Sequence, residues 1–184
     1  MRIALQTSLS KRETYLIGSI VSQWGYLEAD IFEQTLVAMS DLDPLPKAMS
    51  NTNFGLVLDL WLERVAEPKD DERRAVLKAQ YDMIQLLTDF RQAVVHSRWE
   101  WNANKPDEVV AVRAKKKELI RATFTINDLI EMDARIGEIR YLIRYPSEQD
   151  RADELADDGI RISRSGWEML FGQPTVTDET GDDP

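Results

Sequence analysis

The sequence predicts an all-α fold, in its simplest topology an up-and-down four-helix bundle. Apolar residues recur at helical spacing in four segments, capping motifs and prolines bound those segments, and the connections between them are modest. With 184 residues, 43% of them apolar, the chain is long enough for one domain with a sizeable core. We expect one domain over residues 1–172, with its core at 10–146 and a short C-terminal helical extension at 147–172, followed by an acidic disordered tail at 173–184.

The first two helices are marked by their ends. Ser10 and Glu13 match the capping-box pattern, and the apolar stripe that follows runs to about Ser40, before two prolines stop it. A second apolar stripe predicts a helix from about Asn53 to Glu67, where another proline ends the pattern. The core-facing arc of the first helix is predicted to consist of Ile17, Ile20, Val21, Trp24, Leu27 and Ile31.

The third and fourth helices flank an ambiguous segment. The third is predicted from Asp70, whose acidic neighbours favour a helix N-terminus, to near Ser97. The segment 98–114 fits either a small hairpin or a loop that covers the core. The fourth helix is predicted from Thr125 to Tyr145. A short acidic helix follows, and after it three apolar residues are expected to dock onto the core: Trp167, Leu170 and Phe171.

A stripe of small residues runs along the first helix. It consists of Gly18, Ser22, Gly25 and Ala29, at spacings of four, three and four. A glycine inside a helix costs about 1 kcal/mol relative to alanine, so two glycines on one line need a reason. We expect another helix to approach closely there, either from the same chain or from a second copy.

Charge is unevenly distributed along the chain, whose net charge is -10. Residues 147–158 hold six acidic residues and one basic residue, and residues 175–184 hold four acidic residues and no basic one, so 23 acidic and 22 basic residues remain elsewhere. The remainder contains a run of basic residues that either binds the phosphate backbone of a nucleic acid or is simply a surface exposed to solvent. That run consists of Arg113, Lys115, Lys116, Lys117 and Arg121.

Several classes of protein are excluded by what the sequence lacks. It has no cysteine and a single histidine, so disulfide frameworks, thiol nucleophiles and multi-histidine metal sites are not available. It contains no glycine-rich phosphate loop, no GxSxG elbow and no His-Glu-x-x-His motif. We therefore expect no metal and no cofactor. With no apolar run of membrane-spanning length, we expect a cytoplasmic protein without a membrane partner.

The residues best suited to chemistry lie near the end of the third helix. Arg91 is a permanent cation that can hold a phosphate through paired hydrogen bonds, and His96 is the one side chain that exchanges protons near neutral pH. Gln92 stands between them. A guanidinium and an imidazole are a minimal set for cleaving RNA, since the ribose 2′-hydroxyl supplies the nucleophile.

The motif Arg91-Gln-Ala-Val-Val-His96 resembles the R-x4-H signature of the HEPN superfamily (higher eukaryotes and prokaryotes nucleotide-binding). Two flanking segments are similar to bacterial HEPN-like proteins, IGSIVSQWGYLEADI in the first helix and VVHSRW around the histidine, so the resemblance spans about residues 14–145. It implies a helical bundle, a homodimer that brings two motifs together, and metal-independent endoribonuclease activity in a toxin–antitoxin or phage-defence setting. Gln92, Ser97 and Arg98 depart from residues common in the family, which weakens the toxin interpretation more than the fold.

The spacing of the motif points to a dimer. Residues five apart on a helix point about 140° away from each other, so Gln92 and His96 share a face that Arg91 does not. Either the helix end is distorted, or Arg91 and His96 of different copies combine. The small-residue stripe and the motif end of the third helix are the two candidate dimer contacts. Glu28 lies on the apolar arc of the first helix and needs a partner, for which Arg91 is the best candidate.

Roles follow from this hypothesis. Arg91 and His96 are predicted to be catalytic, with Gln92 and Glu28 as positioning residues. The alternative is a non-catalytic dimeric module that binds RNA, a nucleotide or a protein partner such as an antitoxin. A third possibility is that the acidic segments 147–158 and 175–184 imitate nucleic acid and cover the basic run. Further candidates for RNA binding are Arg98, Trp99, Lys115, Lys116 and Lys117.

Overall fold

The computed structural model describes residues 9–50 and 53–158. Five α-helices and three strands occur in the described ranges, together with a 3₁₀ turn at Lys47–Ser50 and a π-helical turn at Leu62–Ala66. The helices and strands are, in chain order, α1 Lys11–Ala38, α2 Phe54–Trp61, α3 Asp71–His96, β1 Arg98–Asn102, β2 Lys105–Lys115, β3 Glu118–Thr125, α4 Ile126–Arg144 and α5 Glu148–Asp158.

The prediction of an all-α four-helix bundle is wrong, because the chain has a mixed α and β architecture. Residues 98–125 form a three-stranded antiparallel sheet of order β1-β2-β3, inserted between α3 and α4. Arg98 pairs with Val112 on β2, and Val112 pairs in turn with Arg121 on β3. The sheet includes the segment for which a hairpin was one of two options, and its third strand, Glu118–Thr125, was not expected at all.

A charged residue on the inner face of β2 obscures its strand pattern. Side chains alternate between the two faces of a strand. Arg113 is therefore on the same face of β2 as Val109 and Ala111, and this face packs on the core. The charged members of this face and the adjacent lysines interrupt the apolar alternation that marks a strand. On β3 the same face carries Ile120, Ala122 and Phe124, and only Phe124 is buried.

Four helices surround one core, to which the sheet adds its inner face. α1 packs against α2, α3 and α4, while β2 contacts α3 and β3 contacts α4. The Ser10 cap closes as predicted, since Ser10 and Glu13 exchange both capping hydrogen bonds. Val21, predicted to be buried, is 40% exposed, and Leu16 replaces it in the core. The buried arc of α1 consists of Leu16, Ile20, Trp24, Leu27, Ile31 and Thr35.

Polar side chains link α1 to its neighbours at defined points. Gln34 accepts a hydrogen bond from Trp61 Nε1 at 2.8 Å and donates to the carbonyl oxygen of Ile143 at 3.2 Å. Arg140 on α4 donates to Asp30 at 2.8 Å and to Gln23 at 3.0 Å. These bonds join three helices at fixed positions along α1, which restricts how α1 can slide or rotate.

The chain divides into two compact units, one ending at Ser147 and one beginning at Glu148. In the second unit the described part is α5, which carries most of the acidic segment 147–158. The expected docking of Trp167, Leu170 and Phe171, the rest of the extension at 147–172, and the acidic tail at 173–184 lie outside the described residues.

The small-residue stripe of α1 lies on the surface. Gly18, Ser22, Gly25 and Ala29 are all exposed. A Cβ atom added at Gly18 or Gly25 would meet nothing within 4 Å. Within the described ranges, therefore, no helix of the same chain makes the close approach that the stripe predicted.

We expect Gly25→Ala to stabilise the folded protein by about 1 kcal/mol, because alanine loses less backbone entropy in a helix and its methyl group meets open space. Urea unfolding monitored by circular dichroism measures the change. Gly55→Ala is the matched control: a Cβ there would lie 3.3 Å from the Asn53 side chain, so a smaller gain or a loss is expected. A clear destabilisation by Gly25→Ala would contradict this expectation and indicate that a second copy packs closely on this face of α1.

Candidate functional site

The R-x4-H residues lie on one unbroken helix. α3 continues as an α-helix through His96, and Ser97 leaves it with an extended backbone. Because the helix end is not distorted, Arg91 and His96 point about 140° apart around its axis. One of the two explanations for the spacing of the motif is thereby removed, and a single chain does not bring the guanidinium and the imidazole together on one face.

Glu28 and Arg91 meet, and Trp24 completes the cluster. Oε1 of Glu28 accepts a hydrogen bond from Trp24 Nε1 at 2.7 Å and one from Arg91 Nη2 at 3.3 Å. The guanidinium carbon of Arg91 also lies 6.0 Å from the centre of the Trp24 ring, within cation–π range. The side chains of Arg91 and Glu28 are 21% and 33% exposed, so the pair is partly screened by solvent.

A pocket of about 310 Å³ opens beside this cluster, between α1, α2 and α3. We call it the Arg91 pocket; it is lined in part by Trp24, Glu28, Phe54, Thr88, Arg91 and Gln92. Nε of Arg91 is buried and has no hydrogen-bond partner among the described residues. Arg91 therefore has unused donor capacity next to a space large enough for a phosphate group.

His96 lies apart from the Arg91 pocket. It is the last residue of α3, its side chain is exposed, and no hydrogen bond or ion pair involves it among the described residues. The imidazole is consequently free to approach a substrate from solvent. β1 begins two residues later, opposite Val112 near the end of β2, so His96 lies towards the same end of the sheet as the β2–β3 turn.

Lysines form the turn between β2 and β3. Lys115 pairs with Glu118, which leaves Lys116 and Lys117 as a two-residue connection, and all three lysines are exposed. Lys116 has φ of 59°, a left-handed conformation that costs a lysine about 1 kcal/mol and that glycine or asparagine would adopt more readily. In the described part of the chain, no ion pair involves Lys116 or Lys117, so their charges are available to a partner.

The other candidates for RNA binding are engaged within the protein. Arg98 and Arg121 both form ion pairs with Glu100, the Arg121 contact at 2.6 Å. Their hydrogen bonds, that of Arg121 first, hold the pKa of Glu100 below its usual range. Trp99 faces inwards and packs against the core, with its ring centre 5.8 Å from that of Phe124. The structure thus gives Trp99 a packing contact instead of a free face for a base.

Sequence reasoning missed Trp24 as part of the site. It was assigned to the core, where it is 1% exposed, but its indole N–H also binds Glu28. The signal was present, since Trp24 and Glu28 are four residues apart on one helix and such pairs are neighbours on its surface. The lining residues Phe54 and Thr88 had no sequence signal, because only the packing of α2 beside α3 brings them together.

Among residues 9–50 and 53–158, no group of three or more acidic or histidine side chains is arranged to hold a metal ion. No helix in those ranges has the length and apolar character needed to cross a lipid bilayer. In comparisons with known proteins, no family model, no curated protein and no solved structure matches this chain.

We expect Glu28→Ala to destabilise the protein by about 1–3 kcal/mol, because it leaves the Trp24 N–H and the Arg91 guanidinium without their acceptor. Glu28→Gln keeps an acceptor oxygen and should cost less. Urea unfolding measures both, and a double-mutant cycle with Arg91→Gln isolates the pair, for which we expect a coupling of about 0.5–1 kcal/mol. Glu33→Gln, at an exposed position of the same helix, is the control. A coupling indistinguishable from zero would show that the contact contributes nothing.

Proposed function

We propose that this protein is a HEPN-like, metal-independent endoribonuclease that acts as a homodimer in the cytoplasm. The observation that carries the proposal is the exposure of His96, the only histidine, without a competing partner in the described structure. A general acid or base has to reach its substrate, and an imidazole walled off from solvent could not do so. A toxin or phage-defence setting belongs to the proposal through the HEPN resemblance alone.

The dimer is required because of the direction in which each side chain points. Arg91 faces α1 and its pocket, whereas His96 projects from the end of α3 about 140° away. A two-fold contact between two copies can bring the Arg91 pocket of one copy opposite His96 of the other, and symmetry then creates two equivalent sites. The exposed small-residue stripe and the α3 end both remain candidates for this contact.

The chemistry proposed for each site uses the RNA itself as nucleophile. His96 accepts the proton of the ribose 2′-hydroxyl, and the 2′ oxygen attacks the adjacent phosphorus. The bond from phosphorus to the 5′ oxygen then breaks. The departing oxygen takes a proton, which the imidazolium or water supplies, and a 2′,3′-cyclic phosphate remains. Arg91 stabilises the negative charge that builds up on the phosphate oxygens, and Gln92 positions the phosphate from the same pocket.

Glu28 then acts as a positioning residue. Its carboxylate holds the guanidinium of Arg91 at the edge of the pocket through one nitrogen, so the remaining donors can face a phosphate. The lysines of the β2–β3 turn, Lys115, Lys116 and Lys117, would bind the RNA backbone on either side of the cleaved bond. Arg98 and Trp99 would contribute only if RNA displaced Glu100 and the core contacts that hold them.

A second candidate function is RNA or nucleotide binding without cleavage. The ion pair between Arg91 and Glu28 favours it, because binding tolerates an arginine that is held in an ion pair, whereas stabilising the charge of a transition state needs that arginine free. Such a module would use the Arg91 pocket and the lysine turn but would not need His96. A protein partner, such as an antitoxin, could occupy the same surface. The two functions therefore differ in their dependence on the imidazole.

Metal-free digestion of RNA, with a chelator present, tests the proposal. We expect cleavage by the parent protein, a loss of about 10²–10⁴-fold for His96→Ala, and a loss of about 10²–10³-fold for Arg91→Ala. Product analysis should find 2′,3′-cyclic phosphate ends. Arg64→Ala, which removes one cation from an exposed position on the π-helical turn, is the matched control and should cleave like the parent.

Equal cleavage by the parent and both variants would assign the activity to a contaminant and end the enzyme proposal. RNA binding that persists in His96→Ala but weakens in Arg91→Ala, with no cleavage by any variant, would favour the non-catalytic module.

A further inference from the structure

A second cavity, separate from the Arg91 pocket, lies between α3 and the inner face of the sheet. Its volume is about 420 Å³, within the range of pockets that hold small organic molecules. We call it the α3–sheet cavity. The residues that define its chemistry are Phe90, Ser97, Arg113, Lys115, Ile120 and Phe124, together with Asp89 and three alanines.

The cavity exists because small residues face one another across the interface. Ala93 on α3, Ala111 on β2 and Ala122 on β3 all line it, and Ala111 and Ala122 are direct cross-strand neighbours. Inward positions of a sheet usually carry larger apolar side chains that fill such a space. Three alanines leave a space beside Phe90 and Phe124, whose rings contact each other with their centres 4.6 Å apart and form one wall of it. Its walls suit a flat apolar group.

The charged groups of the cavity are two cations and one carboxylate that is only loosely paired with them. Nη2 of Arg113 lies 3.6 Å from Asp89 Oδ1, and Nζ of Lys115 lies 3.9 Å from the same oxygen. Both distances exceed those of a good charge-assisted hydrogen bond. The Asp89 side chain is 84% exposed, whereas that of Arg113 is only 15% exposed. One exposed carboxylate thus faces two cations, and the site keeps an excess positive charge.

Two further polar atoms at this cavity have no partner. Nε of Arg113 and Oγ of Ser97 are buried and form no hydrogen bond with the described residues. A buried donor without an acceptor costs about 1–3 kcal/mol, so an arrangement with two such atoms beside one space favours an acceptor that enters it.

We propose that the α3–sheet cavity binds a small aromatic carboxylate, with the ring against the wall formed by Phe90 and Phe124 and the carboxylate at Arg113 and Lys115. Arginine binds a carboxylate through two parallel hydrogen bonds, and the ligand would displace Asp89 from its loose ion pairs. A nucleotide fits less well, because a base has several polar atoms at its edge, whereas Ser97 Oγ is the one neutral polar side-chain atom at the wall. The site shares Lys115 with the lysines proposed to bind RNA, but it uses neither Arg91 nor His96.

Titration calorimetry of the full-length protein with 2-naphthoate tests this site. We expect one molecule bound per chain with a Kd below about 1 mM, and binding about tenfold weaker for the neutral isostere 2-naphthalenemethanol. Arg113→Gln should weaken 2-naphthoate binding about tenfold, while Asp89→Asn, which removes the competing carboxylate, should strengthen it a few-fold. Arg64→Gln, which removes one cation from an exposed position, should leave binding unchanged.

Ala122→Leu fills the cavity and should abolish binding, provided that circular dichroism shows an intact fold. The opposite signs expected for Arg113→Gln and Asp89→Asn keep the test valid even if that variant does not fold. The proposal is overturned if 2-naphthoate does not bind at about 1 mM, the upper limit expected for its Kd. It is also overturned if Arg113→Gln binds 2-naphthoate as tightly as the parent does. Tighter binding of adenosine monophosphate than of 2-naphthoate, dependent on Arg113, would overturn it as well.

Discussion

The carboxylate of Glu28 is the constraint on which the candidate site depends. It lies on the side of α1 that faces α3, where a charged group is stable only with partners, and it finds them in the indole of Trp24 and the guanidinium of Arg91. The contact agrees with the face that α3 turns towards the core, which its buried residues Leu77, Ile84 and Val94 set. Because α3 is an unbroken helix, the direction of Arg91 then determines that of His96, which projects from the helix end into solvent.

The contact between Glu28 and Arg91 stabilises the fold but also competes with the binding of phosphate by Arg91. A guanidinium held by Glu28 and Trp24 is well oriented, but it is also partly neutralised before any phosphate arrives. The cluster of Trp24, Glu28 and Arg91 positions the guanidinium for phosphate if some N–H groups of Arg91 are free. If none is free, the cluster only links α1 to α3. The adjoining pocket and the partial exposure of the Arg91 side chain favour a positioning role. The proposed dimer follows from this geometry, since His96 has to come from elsewhere to meet Arg91.

The helices were predictable because their signals are local. The capping boxes at Ser10 and Thr125 close as their sequences indicate, and the pair of Glu28 with Arg91 followed from the need to compensate a charge on an apolar face. The sheet was predictable only in part: Arg113 and the lysine turn interrupt the alternation of β2, whereas the alternation of Ile120, Ala122 and Phe124 on β3 was present in the sequence and was overlooked. No local pattern could show that Trp99 packs on Phe124, or that three alanines from different elements leave a cavity; both depend on tertiary packing.

Subunit complementation tests the central claim most directly, namely that Arg91 of one copy works with His96 of another. Arg91→Ala and His96→Ala proteins, each inactive alone, are mixed under conditions that allow exchange of subunits, and RNA cleavage is then measured with a chelator present. A mixed dimer contains one site with both native residues, so we expect about a quarter of the parent activity after random exchange in an equal mixture. If the mixture remains inactive although mass measurement shows mixed dimers, or if the parent is a monomer that cleaves RNA, the shared site does not exist.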